Sequence, residues 1–219
     1  MRVMSTLAVA VVLRGLAPCA PVAMTVEFDP TMRLLKRIEG GERADIAILT
    51  DAGVEGLMAK GVLVPGSRRD LALSHIGMAV KAGAPRPDIS TLAALQATLL
   101  AAPSIAYSGA GASGLFFAGL LERLGIAEAV NAKATIIPQG FTAALAARGE
   151  VALAIQQISE LMAVEGVDIL GKLPPEANTG AIFSAGLFAG AEPAAAAALD
   201  WLAAAMDAPT LAAGGLERP

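Results

Sequence analysis

Apolar and polar positions along this chain follow two alternating rhythms. Arg2 to Met4 reads as a short strand that turns at Ser5-Thr6 into a helix, because Val9, Val12, Leu13 and Leu16 recur at i, i+3, i+4 and i+7, one helical face. Val26 to Phe28 is a strand, followed by Asp29-Pro30-Thr31 and a helix carrying Leu34, Leu35 and Ile38 as far as Gly40-Gly41. The apolar run from Asp45 to Thr50 suits a strand covered on both faces. Asp51 then opens a helix with Val54, Leu57 and Met58 inward, stopped by Gly61. This repeated order of strand and helix builds a parallel sheet wrapped by helices.

The second half repeats the rhythm without repeating the sequence. Leu73 to Val80 reads as one long strand, and 81–88, rich in Pro and Gly, as a connector. Thr91 to Ala102 is a helix aligning Leu92, Leu95 and Leu99; Ser104 to Tyr107 is a short strand; a loop follows from Ser108 to Gly114. The next helix puts Phe117, Leu120, Leu121 and Leu124 on one face and stops at Gly125. Ala134 to Ile137 and Val151 to Ile155 are strands, separated by a short helix capped by Thr142 and ending near Gly149. Ile182 to Phe188 is a second long apolar strand, and Pro193 begins an Ala-rich helix burying Leu199, Leu202 and Met206.

Composition narrows the reading. With 55% apolar, 16% charged and only 4% aromatic residues, the chain supports a packed core built from Ala, Leu, Val and Ile. Small side chains allow helices to lie close on a sheet. The net charge of −4, with no Lys or Arg run longer than a pair, lacks the footprint of a nucleic-acid binder, so any bound anion must be held by local groups. The single cysteine, Cys19, excludes an intrachain disulfide and reads as a small apolar filler; the single histidine, His75, excludes a multi-histidine metal cluster. No cofactor motif is present.

Arg2, the apolar run Leu7 to Leu13, and Ala17, Pro18, Cys19 and Ala20 imitate a secretory signal. Arg14-Gly15 cuts that run short, and the strand-and-helix reading is preferred. On that reading the written chain carries no export signal, so the protein stays in the cytoplasm or its true start lies upstream.

Ser108-Gly109-Ala110-Gly111-Ala112-Ser113-Gly114 joins a strand end to a helix start. N–H groups there have no intrahelical partner and lie at the positive end of the macrodipole, so they attract anions, and small side chains let an anion come close. The spacing fits neither a dinucleotide fingerprint nor a P-loop, and a plain tight turn with an N-cap at Ser113 reads equally well until the strand-end position is counted. Ser5-Thr6 offers a similar start at the first helix. Gln156-Gln157, after the Val151 to Ile155 strand, brings neutral amides that donate without a charge to desolvate. Glu160 close behind would repel an anion unless turned away. Thr31 and Thr50, at two other strand-to-helix turns, read as caps.

In Val3 to Thr6, Ala44 to Thr50, Val80 to Ile89, Ser108 to Gly125 and Gly149 to Glu160, the chain resembles the molybdate-binding-protein branch of the bacterial type 2 solute-binding proteins. The resemblance implies an α/β fold of two lobes, each a mostly parallel sheet flanked by helices, joined by two crossing strands, here Ile76 to Lys81 and Ile182 to Phe188. The lobes would be 1–78 with 186–219, and 79–185. A small anionic ligand would sit between them, lined by Ser5, Thr6, Thr31, Thr50, Ser108, Ala112, Ser113, Gly114, Gln156 and Gln157, with hinge closure upon it. The family also implies a monomer, a periplasmic location and an ABC transporter membrane subunit as partner. Where molybdate binders typically offer a tyrosine, Gln156-Gln157-Ile158-Ser159 stands, which makes a carboxylate as admissible as molybdate.

Two other classes compete with the importer component. Aconitate isomerase resembles these binding proteins, so a small-tricarboxylate isomerase is one; it needs a base and a cationic clamp, for which Glu160 or His75 and Arg33 are the candidates. A cytoplasmic anion-sensing domain is the other.

Overall fold

The computed structural model describes residues 1–178 and 180–219. It divides into two compact units: Met1–Ser74 with Ala181–Pro219, and His75–Gly180.

In the first unit β1 (Arg2–Ser5) leads through a single 3-10 turn (Leu7–Val9) into α1 (Ala10–Leu16). There follow β2 (Thr25–Phe28), α2 (Thr31–Glu39), β3 (Ile46–Thr50), α3 (Asp51–Ala59) and β4 (Arg69–Ser74). The second unit runs β5 (Ile76–Lys81), α4 (Leu92–Ala101), β6 (Ile105–Ser108), α5 (Ala112–Arg123), α6 (Ala127–Asn131), β7 (Ala134–Ile137), α7 (Thr142–Arg148), β8 (Leu153–Gln157), α8 (Ile158–Leu161) and β9 (Val167–Lys172). The chain then returns to the first unit with β10 (Ala181–Leu187), α9 (Ala195–Ala205) and α10 (Ala208–Ala213).

Each unit holds a five-stranded sheet, ordered β2-β1-β3-β10-β4 in the first and β7-β6-β8-β5-β9 in the second. β1 is parallel to β2 and β3, whereas β10 is antiparallel to both β3 and β4. β6, β7, β8, β5 and β9 repeat that plan, with β5 as the reversed strand. Four strands of each sheet therefore point one way and one points back. The two units share a topology that leaves no internal repeat in the sequence.

The long strand expected from Leu73 to Val80 is two strands, broken at His75. Ser74 pairs with Ala181 in one sheet, and Ile76 already pairs with Gln157 in the other. The units accordingly exchange at Ser74/His75 and Gly180/Ala181, rather than after 78 and 185. The polar–apolar pattern carries no mark of that break, because a run buried on both faces looks alike in either sheet.

Alternation along the second sheet separates two cores. Met78, Ile105, Tyr107, Leu153 and Ile155 face one side with Leu95, Leu99, Phe117 and Leu121. Ala79, Ala106 and Ala154 face the other, against Ala143 and Ala146 of α7 and Leu161 of α8. Alanine on both surfaces lets α7 sit close to the strands, which is how a chain poor in aromatics fills its interior. Gly77 of β5 lies under α8, where an added Cβ would stand 2.1 Å from Ile158 Cδ1. In the first unit Met4, Ala47 and Leu49 pack with Leu34, Ile38, Val54 and Leu57.

At the N-terminus Val9, Val12 and Leu13 are buried as the helical reading expects, and Leu16 is half-buried. Cys19 is exposed, not a core filler, because α1 ends at Leu16 and the next turn carries the cysteine to the surface. Among the described residues, no helix is long and apolar enough to cross a membrane.

Candidate functional site

Ligands of open α/β sheets bind at the carboxyl ends of the strands. In the second unit β6 ends at Ser108, whose Oγ accepts hydrogen bonds from Ala110 N (3.3 Å) and Gly111 N (2.9 Å) and so folds the loop over the strand end. Gly109 N donates to Ile137 O at 2.8 Å, fixing the loop to β7. The N-cap of α5 is Gly111, not Ser113. Ser113 stands in the first turn, 1% exposed, and its Oγ has no partner. Among the described residues, no acceptor serves the N–H groups of Ala112, Ser113 and Gly114, as expected at a helix start.

β8 runs two residues further than the pattern predicts, so Gln156 and Gln157 are its last residues rather than the start of a loop. Neighbouring residues of a strand point to opposite faces, and the two glutamines divide accordingly. Gln156 Oε1 accepts from Thr142 N (2.8 Å) and Thr142 Oγ1 (3.1 Å), and its Nε2 donates to Gly140 O (3.0 Å). It holds the turn into α7, whose N-cap is Phe141 and not Thr142. Gln157 is 2% exposed and caps α8 in a capping box, its side chain accepting from Glu160 N while Glu160 accepts from Gln157 N, and its Nε2 has no partner.

Ser159, two residues on, is buried with an unpartnered Oγ. Glu160 accepts a hydrogen bond from Gln157 N at 3.2 Å. Burial pushes its carboxyl up to about 8, opposed only by that one bond. The sequence suggested that Glu160 would repel an anion; a carboxyl titrating there is neutral at pH 7 and does not.

In the first unit Ser5 Oγ donates to Thr6 O (3.1 Å), and Thr6 N donates to Ile48 O (2.9 Å). Both residues are buried at the end of β1, but the 3-10 turn that follows makes them no counterpart of the α5 start. Thr50 is a cap, accepting from Gly53 N at 3.3 Å. Thr31 is not one: it is the first residue of α2 behind Pro30, buried, with Oγ1 unpartnered. Arg33 lies 3.3 Å from Asp29 with its side chain half exposed, and His75 sits at the unit boundary, its carbonyl accepting from Ile158 N.

The strand ends thus gather Thr31 in one unit and Ser113, Gln157 and Ser159 in the other, which with Ser74 are the side chains with an unpartnered buried atom among the described residues. Two hollows lie elsewhere. One, of about 740 Å³, is lined by Leu13, Arg14, Met24, Val26 and Phe28; the other, of about 520 Å³, by Val80, Lys81, Pro85, Arg86 and Leu153. Neither contains an unpartnered buried donor. Among the described residues, no group of three or more His, Cys, Asp or Glu side chains could hold a metal.

Residues 17–217 match the family of bacterial extracellular solute-binding proteins, and the chain belongs to it. It is 37% identical over 207 residues to aconitate isomerase from a Pseudomonas species, covering 90% of this chain and 79% of that protein. Its fold matches the periplasmic molybdate-binding protein of Azotobacter vinelandii with a TM-score of 0.80 at 17% identity, covering 100% of this chain and 99% of that one. It also matches the sulfate-binding protein SubI from Mycobacterium tuberculosis H37Rv, with a TM-score of 0.75 at 13% identity over 100% and 86% of the two chains. The fold is that of the type 2 periplasmic binding proteins, two mixed sheets flanked by helices. The family binds small ligands and is usually periplasmic, with an ABC transporter as its usual partner.

Proposed function

We propose that the protein binds a small carboxylate or related oxyanion at its strand ends, as the solute-binding component of an ABC-type importer. One observation carries this reading: the unpartnered buried atoms of Thr31, Ser113, Gln157 and Ser159 stand at strand-to-helix turns. Each such atom costs about 1–3 kcal/mol if nothing ever satisfies it. An anion accepting from these donors and from the open amides of α5 removes that cost. In the first unit Thr31 is the donor, with Ser5, Thr6 and Thr50 around it; in the second, Ser108 and Gln156 shape the strand-end site, while Ala112, Ser113, Gly114 and Gln157 donate.

A thermal-shift panel of molybdate, tungstate, sulfate, phosphate, citrate, cis-aconitate and trans-aconitate tests the reading. A ligand present at about a hundred times its dissociation constant adds about 2.7 kcal/mol, or roughly 5–10 °C in Tm for a chain of this size. No shift with any of the seven overturns it.

The 37% identity to a protein named aconitate isomerase favours a second reading, in which the bound anion is a tricarboxylate whose double bond is moved. Incubation with cis-aconitate, followed by ultraviolet absorbance and proton NMR, separates the two. Appearance of the trans isomer makes the protein an enzyme, and binding without conversion leaves it a carrier.

A further inference from the structure

Glu160 differs from the other carboxylates of the chain. Glu27, Glu42, Asp70 and Glu150 are paired with arginines, and Asp45, Asp88 and Asp207 accept backbone N–H groups; all seven are held below the usual carboxylate range. Glu160 is 6% exposed, and among the described residues its carboxyl accepts from Gln157 N as its half of the α8 capping box. α8 packs against β5, β8, β9 and α7. The charged or titratable side chains of those elements are Lys81, Asp168, Lys172 and Arg148, with His75 just ahead of β5. Arg148 pairs with Glu150, Asp168 accepts from Gly83 N, and no charged group contributes to the state of Glu160.

The neighbours of this carboxyl are equally unusual. The Gln157 Nε2 and the Ser159 Oγ, on residues that are each 2% exposed, lack partners. Two neutral donors within three residues, beside a buried carboxyl, therefore have hydrogen-bonding capacity that the fold leaves unused. Native structures carry few such groups, and a concentration of them at the end of a strand points to a ligand that is not yet bound.

We propose that Glu160 is the proton donor of the second unit's strand-end site, giving its O–H to a carboxylate of the ligand while Gln157 and Ser159 supply neutral donors beside it. The proposal rests on reading the protein as an anion binder and names the ligand class within it. An O–H···O⁻ bond is strongest between groups of similar proton affinity, which favours a carboxylate over the weakly basic sulfate. Ionising Glu160 would remove the donor and set two negative charges together, so binding must weaken as pH rises through the carboxyl's titration near 8.

The test is calorimetric titration with citrate and with tricarballylate, the saturated tricarboxylate that no isomerase can convert, between about pH 7 and 9.5. The wild-type dissociation constant is expected to rise toward tenfold per pH unit above about pH 8. Glu160→Gln, which still donates through its amide, is expected to bind several-fold more weakly at pH 7 and to show no slope. Carbon-13 NMR of glutamate-labelled wild-type protein reads the same group without relying on a variant: the Glu160 carboxyl should titrate near 8 and move higher when tricarballylate is added. A pH-independent wild-type affinity, a slope retained in Glu160→Gln, or a carboxyl titrating in the ordinary range overturns the role of Glu160. Absence of binding at every pH, with sulfate and molybdate also silent, overturns the anion-binding reading instead.

Discussion

A side chain on Gly114 would place its Cβ 1.6 Å from the carbonyl oxygen of Ser108. The first turn of α5 thus rests directly on the end of β6, and Ser108 fixes the loop twice, through its carbonyl contact and through the Oγ that accepts from Ala110 and Gly111. This close approach leaves the helix start open and holds the unpartnered Ser113 hydroxyl in place.

Gly114→Ala should therefore be severely destabilising. The clash is with backbone that cannot rotate away, so the loss is expected to reach about 3 kcal/mol or more, with loss of any anion-induced thermal shift. Gly119→Ala is the control on the same helix. A Cβ there meets only Arg123 Nη1 at 3.6 Å, and replacing a helical glycine should raise stability by about 0.5–1 kcal/mol. Denaturant melts of both variants decide, and equal stabilities would remove the tight docking of α5.

Ser113 separates stability from binding. Ser113→Ala deletes a buried hydroxyl that has no partner, so stability should stay level or rise by about 1 kcal/mol while the ligand-induced Tm shift shrinks. Ser113→Asp places a negative charge in the first turn, where the macrodipole favours it. The fold should persist and the shift should vanish. An undiminished shift in the aspartate variant would take this helix start out of the site.

Glu160 also ties the stability of the ligand-free protein to pH. Its folded carboxyl titrates near 8 against an ordinary value of 4.5, so the folded state holds the proton more tightly than the unfolded one. The associated stability is full below about pH 4.5 and is lost as pH rises through about 8, at up to roughly 1.4 kcal/mol per unit. Glu42, held down at about 2 by Arg37 and Arg2, is ionised throughout that window and does not contribute. Urea melts of wild type and Glu160→Gln at about pH 5, 6.5, 8 and 9 should show the variant gaining relative stability up to pH 8 and levelling off beyond. A constant difference would mean that the carboxyl is not buried in solution.

Much of this was legible in the residues, and the exceptions have physical causes. The alternation of strand and helix and the Ser108 to Gly114 loop follow from apolar spacing and small-residue chemistry. The sheet change at His75 does not, since Leu73 to Val80 is apolar across both sheets. β9 was missed because Val167 to Lys172 is half-buried and contains Gly171 at φ +133°, which breaks the alternation that marks a strand. The separate tasks of Gln156 and Gln157 depend on where β8 ends, two residues from where the pattern places it. Ser113 lost the cap position because Ser108, five residues earlier, already satisfies the loop amides. The neutrality of Glu160 is a property of burial, which one glutamate among surface-like neighbours does not announce.

Thr31 and Thr50 read alike in the sequence, each a threonine at a strand-to-helix turn, and the structure gives them opposite chemistry. Thr50 Oγ1 accepts from Gly53 N, so Thr50→Val removes a cap and should cost about 1 kcal/mol. Thr31 Oγ1 is buried and unpartnered, so Thr31→Val keeps the volume, removes an unsatisfied group and should leave stability level or slightly higher. If that hydroxyl donates to the ligand, Thr31→Val also weakens binding roughly tenfold or more, the usual loss for a hydrogen bond to a charged group. Paired melts and calorimetric titrations of the two variants resolve the assignment. A Thr31→Val protein that loses stability and keeps its affinity would make this hydroxyl structural and require the first unit to bind through other groups.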